Sequence, residues 1–364
     1  MSTTTAPETH SPAWWKARST GIGASEIAAV CGIGRWGSRW EIWAAKTGLL
    51  PPDGSKASDA QLMGLRLEPT LARFFEEDTG LYIAAEQMMV SHREMSWVRA
   101  TIDGLAVEVD DDSTVDDALG PVQLKYTSDP PWCDCGGTHK VCPGDNLPPW
   151  LKAQVSWEML AGDWPTSWVA TLHPRGSFRV YELARDRDDE AALLDAGRAF
   201  WHDHVLANVP PALDGGNQQA TADALARAYG EGGGGEIDLG DEHDGAAEQL
   251  GSIRYLKRER KALDEQICDL ENVVKATLAE AEVGLVEVAP GDVRPLVTWK
   301  RSTVRNVDLV ALRANESQIA AQYTVESHQR RLDVRSPCPH CTAALRAQDV
   351  EGHMTSKHKA EAAP

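Results

Sequence analysis

Apolar residues recur at spacings of three and four in SEIAAVCG, RWEIWAAKTG and PTLARFFEEDTG, so these stretches predict helices. WVRATIDGLAVEV, PVQLKYTS and SWVATLHP are shorter and strand-like. Together they predict an α/β core from residue 14 to about 211. The pattern then fails: residues 214–248 contain GEGGGGEIDLGDEHDG, which offers almost nothing to bury and predicts a flexible or poorly ordered linker. From Ser252 to Glu282 a long helix is expected, with Leu256, Leu263, Ile267, Leu270 and Val274 on one seam and Arg254, Lys257, Arg258, Arg260 and Lys261 in its first turns. That seam is too short for an autonomous coiled coil, so docking on the core or on a hairpin partner is expected. Residues 284–335 add two strand candidates, VEVAP and RPLVTWKRS, and a polar helical piece; a compact Cys/His module follows. The expected organisation is a core over 1–213, a linker over 214–248, an accessory helix-plus-β extension over 249–335, and a zinc-finger module with its tail over 336–364.

The chain has 364 residues, 42% of them apolar and 25% charged, with 13 Trp, which is ample for a packed core and excludes collagen-like, coiled-coil-only and wholly disordered classes. No apolar run approaches the roughly 18–20 residues that cross a bilayer. MSTTTAPETHSPAWW lacks the basic region and apolar core of an export signal, so a soluble, cytoplasmic protein with no membrane partner is expected. The formal charge of −19 argues at first against a polyanionic partner. Its distribution removes that argument. Asp186 to Leu250 holds 15 Asp and Glu against three Arg, a net of −12, which leaves −7 for the remaining chain. Fields are screened over about 8 Å at physiological salt, so an acidic tether does not forbid a basic groove elsewhere.

Seven Cys without an export signal read as metal ligands before disulfides. Cys338-x2-Cys341-x11-His353-x4-His358 supplies four ligands at close to C2H2 spacing, the tetrahedral set of a structural Zn²⁺ site, with Leu345 and Val350 between the pairs. A phosphate contact and a protein-docking role are equally open for this finger. Cys133, Cys135, His139 and Cys142 form a second cluster in a Pro/Gly-rich insertion, where a second Zn²⁺, a reduced unliganded loop and an iron–sulfur cluster are the readings, in that order. Cys31 and Cys268 read as buried small residues.

The candidate chemistry sits in RATIDGLAVEV (99–109) and PVQLKYTS (121–128). Asp103 ends one strand-like segment, and Gln123 and Lys125, two apart and so on one face, lie on the next. An acid, an oxygen-bearing side chain and a Lys at one sheet edge suit metal-assisted phosphodiester hydrolysis: oxygens hold a hard cation such as Mg²⁺, and the Lys positions the nucleophile or stabilises developing charge. Alone, this spacing is a weak motif, for which a turn Asp and a solvated edge Lys are the favoured reading.

The ordered context adds to it. WWKARSTGIGASEIAAVCG (14–32), SRWEIWAAKTG (38–48), MGLRLEPTLARFFEEDTG (63–80), IDG (102–104), QLK (123–125), LKAQVSWEMLAGDW (151–164), HPR (173–175) and FWHDHVLANVPP (200–211) follow in order the segments of the phage exonucleases of the lambda exonuclease and YqaJ viral recombinase type, a branch of the PD-(D/E)xK nuclease superfamily, which this chain resembles. VTWKRSTVRNVDL (297–309), after the long helix, is similar to the C-terminal extension many YqaJ-type proteins carry. The resemblance implies a restriction-endonuclease-like core, a central mixed sheet flanked by helices. It also implies a Mg²⁺- or Mn²⁺-dependent exonuclease acting on double-stranded DNA ends. Such an enzyme digests 5′-to-3′ to expose a strand for a single-strand annealing protein, in a bacterial host carrying a phage or prophage, and relatives form ring-like homo-oligomers.

Carried over residue by residue, the resemblance makes Glu68, Asp103 and the Leu124 backbone carbonyl metal ligands. Lys125 serves the attacking water, Gln154 supports the site, and Arg18, Ser25 and Thr101 form a terminal-phosphate pocket. Plainer readings exist: Glu68 as a helix charge ahead of Pro69, Ser25 as an N-cap, Gln154 as a surface residue. Ile102 replaces the motif's Pro, a mild change. Gln123 replaces its Glu, which removes one negative charge from the cation site. A same-fold endonuclease, and a zinc-bearing adaptor that has lost turnover through Gln123, are the competing readings.

Overall fold

The helices of the first fifty residues are set by their caps. A computed structural model describes residues 2–5, 11–50, 59–108, 118–133, 135, 140–213, 216–230, 232, 234–237, 239, 245–303, 305–325, 332, 336–337 and 344–345. After strand β1 (Ser2–Thr5), helix α1 (Pro12–Ser19) starts with Ser11 Oγ accepting the Trp14 N–H. A two-residue strand, β2 (Ile22–Gly23), leads into α2 (Ala24–Val30), where the Glu26 carboxylate reaches back to the Gly23 N–H. Ser38 caps α3 (Arg39–Lys46). Helix α4 (Asp59–Thr79) begins well ahead of PTLARFFEEDTG and runs through Pro69, which lacks the N–H an interior turn requires.

Strands β3 (Tyr82–Ser91), β4 (Val98–Val107), β5 (Gly120–Tyr126) and β6 (Val141–Pro143) precede α5 (Pro149–Gly162). Then come β7 (Thr166–His173), β8 (Ser177–Ala184), α6 (Arg187–Ala199), a π-helical turn (Phe200–Leu206) and α7 (Gln218–Tyr229). The sheet order is β1-β3-β4-β5-β7-β8-β6, with β2 beside β4. It is mixed: β4 meets β5 antiparallel, and β5 meets β7 parallel, pairing Gln123 with Val169 and Lys125 with Thr171. Gly120 is required where it stands, because a Cβ there would collide with the Thr166 carbonyl oxygen.

Helices cover both faces of the sheet. On one, Leu71 and Phe75 of α4 pack with Ala106, Val122, Leu124 and Trp168. On the other, Ile22, Ile27, Ala153 and Trp157 pack with Ile102 and Leu105, and the Trp157 indole donates to the Ile22 carbonyl at 3.1 Å. Burial on both sides makes β5 almost continuously apolar until its last residues. The fold class is therefore as expected, mixed α/β with a central mixed sheet between helices.

The expected linker start at 214 moves. Helix α7 lies inside that stretch, buries Ala224 and Thr221, places Tyr229 against Trp40 and pairs Arg227 with Glu41, so the first compact unit extends to Gly230. Its apolar surface is mostly Ala, too slight to stand out beside the acidic Gly-rich run.

The second unit, Glu231–Pro364, contains α8 (Ala246–Leu278), the antiparallel pair β9 (Val283–Ala289) and β10 (Asp292–Thr298), and two short helices, α9 (Leu309–Asn315) and α10 (Ser317–Gln322). The expected seam of α8 is exposed, and Cys268, expected to be buried, is exposed on the same helix. Strands β11 (Ser336–Pro337) and β12 (Ala344–Leu345) pair antiparallel. Cys338, Cys341, His353 and His358 lie outside the described residues. Among the described residues no helix is long and apolar enough to cross a membrane.

Candidate active site

Strand alternation puts Arg99, Thr101 and Asp103 on the half-buried face of β4. Asp103 is engulfed. Its Oδ2 accepts the Leu124 backbone N–H at 2.9 Å and a bond from the Gln123 side-chain nitrogen. Burial pushes the Asp103 carboxyl above its ordinary range, opposed by the Lys125 charge and by those two bonds. Lys125 follows at the end of β5, where burial fades.

Glu68 comes from α4 on the other side. It lines, with Asp103, Leu124, Gln87, Leu65, Pro69, Ala72 and Ile83, one cavity of about 80 Å³. Gln87 Nε2 donates to Glu68 Oε2 at 3.3 Å, and Gln87 holds a left-handed backbone (φ 53°) in β3. Glu68 is half-buried and lines this cavity. Two acids and an amide lining one small hollow offer the oxygen donors that a hard divalent cation takes.

Helix α5 starts on Pro149, ends at Asp163 in the left-handed conformation, and carries Gln154 half-buried behind β5. Gln154 Nε2 donates both to the Gln123 side-chain oxygen and, at 3.0 Å, to Glu158 Oε1. Gln154 is therefore not the surface residue its plainer reading allows. The oxygen of Gln123 is turned to Gln154 and its nitrogen to Asp103.

A second cavity, of about 40 Å³, is lined by Arg18, Ser25, Arg99, Thr101 and again Gln154, with the Gly21–Gly23 backbone nearby. All three expected phosphate residues meet here. Ser25 is not the N-cap, a position held by Gly23; its hydroxyl accepts from Arg18 Nη2 at 3.3 Å. Arg18 also pairs with Glu26 at 2.8 Å, and the almost buried Lys46 Nζ sits 2.7 Å from the same carboxylate. Burial pushes the Glu26 carboxyl up, but Lys46 and Arg18 outweigh it and hold it down at about 2. Arg99, which lines the same cavity and acts on Lys46, adds a third cation to the neighbourhood of this one acid, and the excess positive charge suits an anion.

Sequence reasoning missed Arg99, Gln87 and Glu158. Arg99 was legible as the residue two before Thr101 on one strand face, and Glu158 as one helical turn beyond Gln154; Gln87 had no signal.

Apart from this site, Cys133, Cys135 and Cys142 bring their sulfurs to 3.0, 3.1 and 3.5 Å from one another, beside Tyr181, Val169 and Leu151. They are the group of three or more potential metal ligands found among the described residues; His139 lies outside them. Between Lys125 and this cluster, Trp132 packs edge-on against His173 at 5.1 Å and donates its backbone N–H to the Tyr181 hydroxyl. Trp36, a candidate for stacking on bases, is 62% exposed, with Arg35 over its ring.

Residues 13–128 match the YqaJ-like viral recombinase domain, a span holding Arg18, Ser25, Glu68, Thr101, Asp103, Gln123 and Lys125. The chain is 25% identical over 325 residues to the uncharacterized protein YqaJ of Bacillus subtilis (strain 168), over 88% of this chain and 93% of that one. Among solved structures it is similar to the alkaline exonuclease LHK-Exo of Laribacter hongkongensis, at 18% identity over 55% of this chain and 94% of that one with a TM-score of 0.40, and the LHK-Exo complex with dAMP gives the same values.

Proposed function

We propose that this chain is a Mg²⁺- or Mn²⁺-dependent exonuclease. It degrades linear double-stranded DNA from its ends, 5′-to-3′, and leaves a single strand for an annealing protein, in a bacterium carrying a phage or prophage. The observation that carries this reading is the meeting of Glu68, Asp103 and Leu124 around one cavity, with the Lys125 charge acting on Asp103. The match to a viral recombinase domain over the same residues supports it.

In this reading Glu68, Asp103 and the Leu124 carbonyl hold the cation. When bound, the ion supplies a water of lowered pKa and offsets charge on the phosphate. Lys125 orients the attacking water and faces the developing charge; Gln154 fixes the Gln123 amide. Arg18, Ser25, Thr101 and Arg99 grip a terminal 5′-phosphate, for which the Arg fork is suited. This grip makes a DNA end a better substrate than an internal bond.

Linear duplex with 5′-phosphate, linear duplex with 5′-hydroxyl, and covalently closed circles, each titrated with Mg²⁺ and Mn²⁺ beside an Asp103→Ala control, test the proposal. The phosphorylated linear duplex should be digested fastest and circles spared. Equal cutting of closed circles would identify an endonuclease, and DNA binding with no cutting under either ion an adaptor.

The thiol cluster fits structural Zn²⁺. Its sulfurs lie inside van der Waals contact, and opening them by under ~1 Å reaches the roughly 3.8 Å edge of a tetrahedron with Zn–S of about 2.3 Å. A second structural Zn²⁺ is proposed for Cys338, Cys341, His353 and His358. Purified full-length protein should carry about two zinc per chain, with Cys133→Ser and Cys338→Ser each losing about one; elemental analysis decides, and unchanged zinc in Cys133→Ser removes the first site.

A further inference from the structure

Glu158 is fully buried on α5, and its Oε2 has no hydrogen-bond partner, a costly arrangement for an acid. A glutamine would occupy the same volume without a charge to solvate. Glu158 stands one turn from Gln154, whose nitrogen bonds both Glu158 Oε1 and the Gln123 oxygen, while the Gln123 nitrogen bonds Asp103. Two acids are thus joined end to end by two amides. Burial, and next the Asp103 charge, push the Glu158 carboxyl up to about 8, against Gln154 and Lys125. Without a cation it therefore carries a proton at pH 7, and it releases that proton to solvent when it serves as an anion.

Charge balance gives this acid a purpose. A dication together with Lys125 brings three positive charges to the site, and Glu68 and Asp103 answer two of them. In most sites of this chemistry a further acid on the strand would answer the third, but here that position is the neutral Gln123.

We propose that Glu158 supplies, from the helix behind the sheet, the negative charge that Gln123 withholds, acting as a positioning residue through the Gln154 and Gln123 amides on the cation held by Asp103 and Glu68. This rests on the metal-site reading above.

Binding of Mn²⁺ to the full-length, zinc-loaded protein, followed by electron paramagnetic resonance without DNA, tests it apart from turnover. Glu158→Gln should weaken binding about 10-fold or more, in the range of other residues that support metal ligands. Gln123→Glu in the Glu158→Gln background should bring affinity back to about the wild-type value, which restored folding alone would not do. Asp103→Asn should lose the site. Wild-type affinity in Glu158→Gln, with Asp103→Asn deficient, overturns the proposal and leaves the metal site standing. Wild-type affinity in Asp103→Asn overturns the metal site itself. Should Glu158→Gln fold poorly, the double variant still decides: folded with weak binding, it overturns the exchange of charge.

Discussion

Two acids of the same core have opposite fates. Glu158 is fully buried and Glu26 mostly so, with 15% of its side chain exposed, yet Glu26 is held at about 2 and Glu158 pushed up to about 8. The difference is company. Glu26 meets Arg18 and Lys46 within 2.8 Å, whereas Glu158 meets one amide and the like charge of Asp103. Burial alone therefore does not decide what a carboxylate does; the partners gathered with it do. Glu26 is held as a paired anion among cations, whereas Glu158 holds a proton at neutral pH until positive charge arrives nearby.

The largest effect is expected at Asp103, the acid whose charge acts on Glu158. Asp103→Ala and Lys125→Ala should each lower Mg²⁺-dependent hydrolysis of linear duplex by ~10²–10³-fold or more, the scale for losing a preorganised charged group, as read by strand release. Wild-type rates in Asp103→Ala would remove the cation side of the comparison. Next, Glu26→Gln leaves Lys46 buried without its anion, and equilibrium denaturation at pH 7 should show a loss on the order of 3 kcal/mol. That stabilisation belongs above pH 4.5 and disappears as pH falls toward 2, since the folded value lies below the ordinary one.

Glu158 reverses the sign. Its folded value lies above the ordinary 4.5, so its contribution is complete below pH 4.5 and is lost as pH rises through about 8. In magnesium-free buffer the wild type should lose up to about 1.4 kcal/mol per pH unit across that window relative to Glu158→Gln, measured by urea midpoints at pH 5 and 9. Parallel curves would show that the two acids do not differ as described. The smallest effect is expected from Gln123→Glu alone, which should keep or raise Mg²⁺-dependent hydrolysis by a factor of a few, on the order of the gain from one added ligand charge.

The sequence carried the strands of the site well, because a two-residue repeat fixes which side chains share a face. Asp103, Gln123 and Lys125 follow from it, and the ordered likeness to phage exonucleases added Glu68, Gln154 and the phosphate residues. What it did not carry depends on depth. Whether Glu158 is solvated or orphaned, and whether Lys46 snorkels or closes on Glu26, is set by neighbours brought from far along the chain. Helix α7 was hidden for another reason: its buried residues are Thr221 and Ala224, which carry too little apolar surface to mark a helix face. β1 was hidden too, a Thr-rich segment that pairs with Met88–Ser91.

Gln154 lines the anion pocket while bonding Gln123 behind the cation cavity. One amide cannot answer two hollows independently. Whatever factor a seated DNA terminus adds to the ion's affinity, the ion must return to the terminus, by thermodynamic reciprocity. Under the proposed function, Gln154 would thus make the ion and the strand end each other's effector, and a Gln154→Ala variant that breaks the shared amide should lower that mutual factor.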